Sequence, residues 1–198
     1  MSIHTLNFYL LKTIRVKNYY FYFRAAKTFQ WHIRAVSLQD IKLENKVLDN
    51  LNILYSNFET TTFDNSTLES ADLINTNFSG SSFRSTHLKY ANFSRSTLIN
   101  CDFQNANMQN ADLSNTNCEG AKFKNIIGIH ANFKYADLKN TDFSNANLRG
   151  ANFIGCDLDG ANFSGTDLKD AVFNKTDLSK CNFSNANLNE AFVDGKRD

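Results

Sequence analysis

Large apolar residues recur at every fifth position from residue 38 to residue 193, without insertion or deletion, and 27 of these 32 centres are Leu or Phe. The exceptions are Ile53, Met108, Cys118, Gly128 and Val193. From Ser56 onward the position two before each centre holds Ala, Ser, Thr or Cys in 27 of 28 pentads, with Ile126 the outlier. A period of five matches neither the 3.6-residue helix nor the two-residue strand. It predicts a chain that turns a corner once per pentad and stacks its coils into a solenoid. Gly and Asn close many pentads, as at Gly80, Asn105, Asn115, Asn145, Gly155 and Gly165, and both suit tight turns. Proline is absent, as suits a ladder that needs its backbone donors.

Ala146-Asn147-Leu148-Arg149-Gly150, Ala151-Asn152-Phe153-Ile154-Gly155 and Ala161-Asn162-Phe163-Ser164-Gly165 resemble the A-(D/N)-(L/F)-X-X signature of pentapeptide-repeat proteins. The resemblance implies an all-β fold, a right-handed quadrilateral parallel β-helix with four pentads per coil and about eight coils here. It divides the chain into an N-terminal extension (1–35), a weak first coil or capping segment (36–55), the repeat proper (56–195) and a tail (196–198). At about 4.8 Å per coil the rod is roughly 38 Å long.

Sorted at twenty-residue intervals, the centres form columns. Phe63, Phe83, Phe103, Phe123, Phe143, Phe163 and Phe183 make one, Phe93, Leu113, Phe133, Phe153 and Phe173 the one opposite, and a third is mostly leucine. Side chains are expected to fill the interior and leave no ligand cavity. Lys46 occupies an inward slot in 36–55, where burial of a lysine is too costly. That stretch is expected to be distorted or partly helical, with the regular solenoid starting near Leu51 or Ser56. A second departure is Ile126, Ile127, Gly128, Ile129 and His130, with glycine at a centre and isoleucine in the small slot. A local bulge or shifted pentad is expected, with an isoleucine filling the gap; alternatively a kink turns Ile127, Ile129 and His130 outward as a contact patch.

Charge adds a division along the chain. Residues 1–39 carry Lys12, Arg15, Lys17, Arg24, Lys27 and Arg34 and no acid, leaving 15 bases against 20 acids beyond them, a formal −5. The extension is also aromatic, with Tyr19, Tyr20, Phe21, Tyr22, Phe23, Phe29 and Trp31. It reads as a cap on the first coil or as an anchor at a membrane surface; it matches a secretory signal or transit sequence poorly. No run of eighteen apolar residues exists. The expected location is cytoplasmic, with a peripheral membrane site as the alternative.

The four cysteines fall at inward positions, two or more coils apart, and read as reduced buried thiols. No zinc-type spacing, phosphate-binding glycine loop or catalytic constellation occurs, so neither enzymatic activity nor a cofactor is expected. Function is expected on the outer surface and the two ends, as a protein-interaction scaffold. One candidate is an acidic face of Glu119, Asp137, Asp157, Asp159 and Asp177, diluted by Lys139 and Lys180. Quinolone-resistance members of the resembled family mimic B-DNA and bind DNA gyrase or topoisomerase IV, which makes those enzymes candidate partners. The pentads carry no looped insertion like those of these proteins, and no C-terminal helix like theirs is expected after Gly195. A net −5 is also far below the roughly twenty charges that duplex DNA carries over the same length. The other candidate is the C-terminal end, where Ile154, Val172 and Phe192 suggest a homodimer contact. Direct nucleic-acid binding is not expected, since no recognised motif is present.

Overall fold

The computed structural model describes residues 32–194, 196 and 197; the readings made for residues 1–31 lie outside them. Parallel pairing joins the second residue of nearly every pentad to the one twenty positions later, from strand β1 (His32–Arg34) against β2 (Asn52–Leu54) through single bridges ending at Val172↔Phe192. Four pentads therefore make one turn of a four-sided β-solenoid. We number its sides by their pentads: side one holds 36–40 and every twentieth residue on, side two 41–45, side three 46–50 and side four 51–55.

The corner explains the period. The last residue of nearly every pentad has a left-handed φ, as in Asn105 at 60° and Asn145 at 57°. The next amide then bonds back to the centre carbonyl three residues earlier, as Ala111 N does to Met108 O at 3.0 Å. A positive φ at the third residue alone is the type II arrangement. Asn tolerates this region better than other residues with a Cβ, and twelve of the corners are Asn.

Side chains lock each corner on two sides. The Asx residue before a centre accepts the amide two positions on, as Asp142 Oδ1 does from Ser144 N at 2.9 Å and Asn162 Oδ1 from Ser164 N at 3.1 Å. The small inward slot ties neighbouring coils: Ser81 Oγ donates to Phe58 O at 2.8 Å and Thr166 Oγ1 to Phe143 O at 2.8 Å. Ala fits the same slot but forgoes the bond.

The core is continuous. Rings of the Phe63-to-Phe183 column stack face to face, with centroids 4.7 Å apart at Phe63/Phe83 and 5.2 Å at Phe163/Phe183. Rings of the column opposite meet them edge-on, as Phe133 meets Phe143 at 5.5 Å and 86°. Such contacts add to simple burial, and Phe103, Phe123, Phe143 and Phe163 are fully buried.

Residues 36–55 depart from expectation. No helix occurs among the described residues, and Ser37, Lys42 and Val47 hold the twenty-residue register. Lys46 avoids burial because its slot lies in the first coil, whereas Ser66 and Thr86 above it are buried. The other inward slots of that coil hold Val36, Ile41 and Leu51, larger than the Ala, Ser or Thr used further on.

The bulge expected at 126–130 does not form. Ile127 bridges both Asn107 and Asn147, Gly128 N bonds to Asn147 O at 2.8 Å, and His130 keeps the corner φ of 58°. Ile126 and Leu148 fill the missing volume, since a Cβ on Gly128 would lie 3.2 Å from Ile126 Cδ1 and 2.8 Å from Leu148 Cδ2. The kink is therefore absent as well, and Ile127 is exposed simply because it sits at an outward position.

The real break comes later. No backbone hydrogen bond joins 156–160 to 176–180, and Lys180 lacks the positive φ of the other corners. Nothing in the sequence Thr176-Asp177-Leu178-Ser179-Lys180 explains this. The other three sides stay paired to the last coil, where β3 (Phe192–Val193) also runs antiparallel to β4 (Lys196–Arg197).

Candidate interaction surfaces

Inward positions are taken by packing, so partner chemistry lies on the outward and corner residues. Sorted by side, charge is uneven. Side one carries Asp40, Glu59, Glu119, Asp137, Asp157, Asp159 and Asp177 against Lys139 and Lys180, a net −5. The acidity of the whole rod is concentrated there.

Within the acidic face, Asp137 and Asp157 are parallel neighbours, while the break isolates Asp177 from Asp157. Lys139 Nζ sits 2.7 Å from Asp157 and 3.3 Å from Asp137, and Lys180 Nζ lies 2.5 Å from Asp159. Lys139 holds the Asp157 carboxyl below its ordinary value, and the Ser179 amide does the same for Asp177. Asp137, Asp157 and Asp177 each also accept the amide two residues on, from Lys139, Asp159 and Ser179. These three carboxylates build corners as well as face solvent. Glu119 is exposed and donates its backbone amide to Asn117 Oδ1.

At the C-terminal end, Val172 and Phe192 pair in parallel and both are half-buried, as is Ile154. Arg197 takes the second backbone edge of Phe192, so that edge is covered by the chain's own tail. Leu178, Phe183 and Leu188 on the other three sides are half-buried, whereas Leu158, Phe163 and Leu168 one coil earlier are buried.

The four cysteines are free thiols. Burial pushes Cys118 and Cys156 up to about 12 and Cys181 to about 11, and raises Cys101 too. They are kept from reacting as thiolates. Among the described residues no cluster of His, Cys, Asp or Glu could hold a metal ion, and no helix is long and apolar enough to cross a membrane.

The model for pentapeptide repeats (8 copies) matches residues 63–98, 91–127 and 129–165, and a second model, pentapeptide repeats (9 copies), matches 150–195. The chain belongs to the pentapeptide-repeat family. No curated protein matches it. Similar solved structures include QnrB1, a plasmid-mediated fluoroquinolone resistance protein, at 23% identity over 81% of this chain and 85% of that one, with a TM-score of 0.36. HetL, a pentapeptide repeat protein involved in heterocyst differentiation regulation in Nostoc sp. strain PCC 7120, is 24% identical over 83% and 92%, with a TM-score of 0.28. Rfr23 of Cyanothece 51142 is 19% identical over 76% and 90%, with a TM-score of 0.33.

Two surface features of this pentapeptide-repeat protein escaped the sequence reading. One is the corner-building role of the acidic residues; its signal is the Asp or Asn before 19 of the 28 centres from Asn57 onward. The other is a set of corner tyrosines under cations: Arg34 lies over Tyr55 at 5.1 Å, Lys89 over Tyr90 at 5.1 Å and Lys134 over Tyr135 at 5.0 Å. In the last two a basic residue directly precedes the tyrosine, a pattern visible in sequence.

Proposed function

We propose that this pentapeptide-repeat protein is a non-catalytic scaffold, a right-handed rod of about eight coils that docks a basic protein partner on side one. The carrying observation is that side one, from 36 to 180, holds −5 of the net −6 of residues 36–195, while the interior is filled by Phe and Leu. Sorted charge of one sign steers a partner of the other and sets its orientation. Catalysis finds no support, because the paired carboxylates lie on a convex wall where water is not excluded.

A duplex-mimic role directed at a type II topoisomerase has weaker support. Duplex DNA carries about one charge per 1.7 Å, whereas here Lys139 and Lys180 sit against three of the five late carboxylates. The half-buried Leu178, Phe183 and Leu188 favour a second copy of the chain at the C-terminal end. Because Arg197 pairs with the outer backbone edge of Phe192, that contact would centre on those three residues rather than on Phe192.

The test is affinity capture with the tagged full chain and with an Asp137→Asn/Asp157→Asn/Asp177→Asn variant. Asn keeps the corner hydrogen bond, so the fold stays while three charges go. A basic protein recovered by the native chain and reduced about tenfold or more by the variant is the expected result. Equal recovery by both would remove side one as the docking surface.

A further inference from the structure

We propose that the corner between side four and side one is a second docking site, for an acidic segment in the polyproline II conformation on a partner protein. The proposal rests on the scaffold reading but uses a different surface from the acidic face.

The corner residues of this column alternate. Tyr55, Arg95, Tyr135 and Lys175 are exposed and project at every second coil, with Asn75, Asn115 and Gly155 between them. The small residues have a steric purpose: the Tyr135 ring lies over Gly155, where a Cβ would sit 2.6 Å from ring carbon Cδ1. A large corner side chain covers the corner of the coil above it, so two in succession would collide. The result is a comb with teeth every two coils, about 10 Å apart.

Each tooth carries a cation. Arg34 is held over Tyr55, Arg95 stands alone, Lys134 is held over Tyr135, and Lys175 follows. From residue 34 to 175 the two corner positions of this side contain no acid, and Leu54, Ile74 and Ile154 supply half-buried apolar surface between the teeth. On the flanks Lys139 holds Asp137 and Asp157, Asn52 reaches one oxygen of Asp72, and Asn132 and Ser114 bond Asp112, while beside the last tooth Asp177 accepts the Ser179 amide and Asp194 the Lys175 amide. Tyr55 and Tyr135 remain 55% and 51% exposed. Tyr and Arg are the residue types that anchor interfaces.

Pitch selects the ligand. A polyproline II strand repeats every three residues at about 3.1 Å each, close to 9.3 Å, so every third side chain returns to one face. An extended β-strand returns every second residue, about 6.7 Å, and falls out of step. An acidic residue at every third position therefore meets Arg95, Lys134 and Lys175 in turn, two coils apart, with Arg34 one coil further out, and the exposed tyrosine rings suit the polyproline II ridge.

The experiment is fluorescence anisotropy of a labelled peptide of four Glu-Pro-Pro repeats titrated with the full chain. Saturable binding is expected, weakened about tenfold or more by Arg95→Asn/Tyr135→Asn, whose thermal midpoint should be unchanged or higher. A peptide of four Glu-Gly-Gly repeats should bind about fivefold more weakly, because it is not preorganised. Lack of saturation, equal affinity for the glycine peptide, or tighter binding of oligothymidylate or of phosphatidylserine vesicles would overturn the proposal. None of these outcomes touches the capture experiment on side one, so the two readings fail separately.

Discussion

At the level of single residues, the Asx position shows how a surface charge becomes part of the fold. Asp157 accepts the Asp159 amide at 3.3 Å and also meets Lys139, so removing its charge and removing its oxygen are different changes. Asp157→Asn keeps an acceptor and is expected to leave the thermal midpoint nearly unchanged, since an exposed ion pair contributes little. Asp157→Ala removes the acceptor and is expected to cost about 1 kcal/mol, as loss of a local hydrogen bond typically does. Calorimetry on the two variants distinguishes them, and equal losses would deny the corner role. The inward positions were legible from the five-residue period alone, because Leu and Phe at every fifth place leave few other arrangements. The Asx role was less legible: a carboxylate that bonds its own backbone and one that waits for a partner are the same letter. Lys46 was misread for a related reason, since slot identity gives direction but not whether a coil lies beyond it.

At the level of the pentad, the sequence and the backbone break in different places. Gly128 disturbs the pattern but not the ladder, because Ile126 supplies the volume that the centre lacks. Periodicity marks a substitution as odd without registering a neighbour that compensates, and packing is what decides. The pentad 176–180 is regular in letters, yet it is unpaired with 156–160 below it. Leu158 and Gly160 have no backbone acceptor among the described residues, whereas Leu138 bonds to Asp157 O at 2.8 Å and Asn140 to Asp159 O at 2.9 Å. Local opening follows the density of such bonds. Amide exchange at Leu158 and Gly160 is expected to run about tenfold or more faster than at Leu138 and Asn140. Matching protection at both pairs would mean that the ladder continues through this corner in solution.

Across the whole molecule, each coil contacts only its neighbours, so stability is a sum of repeat and interface contributions and is vulnerable to anything that charges the interior. Four thiols lie on that interior, and their sign can be worked out. Cys118 and Cys156 rise from an ordinary 9.0 to about 12 in the fold. Their neutral forms therefore favour the folded state fully below pH 9.0, and that contribution is lost as pH rises from there toward about 12. Asp157 and Asp177 act oppositely: their folded values lie below the ordinary 3.8, so what they contribute holds above it and disappears as pH falls further. Urea midpoints are expected to be level between those limits and to fall on both flanks. Cys101→Ala/Cys156→Ala isolates the alkaline flank, because both positions are small slots in which Ala is already common, as at Ala111 and Ala151. If desolvated thiols cause the alkaline loss, the double variant should keep its midpoint further into alkali than the native chain, with Cys118 left to account for the remainder. An alkaline limb unmoved by the substitution would shift the cause to the lysines that hold side one together, Lys139 and Lys180, whose own values are raised by their carboxylate partners.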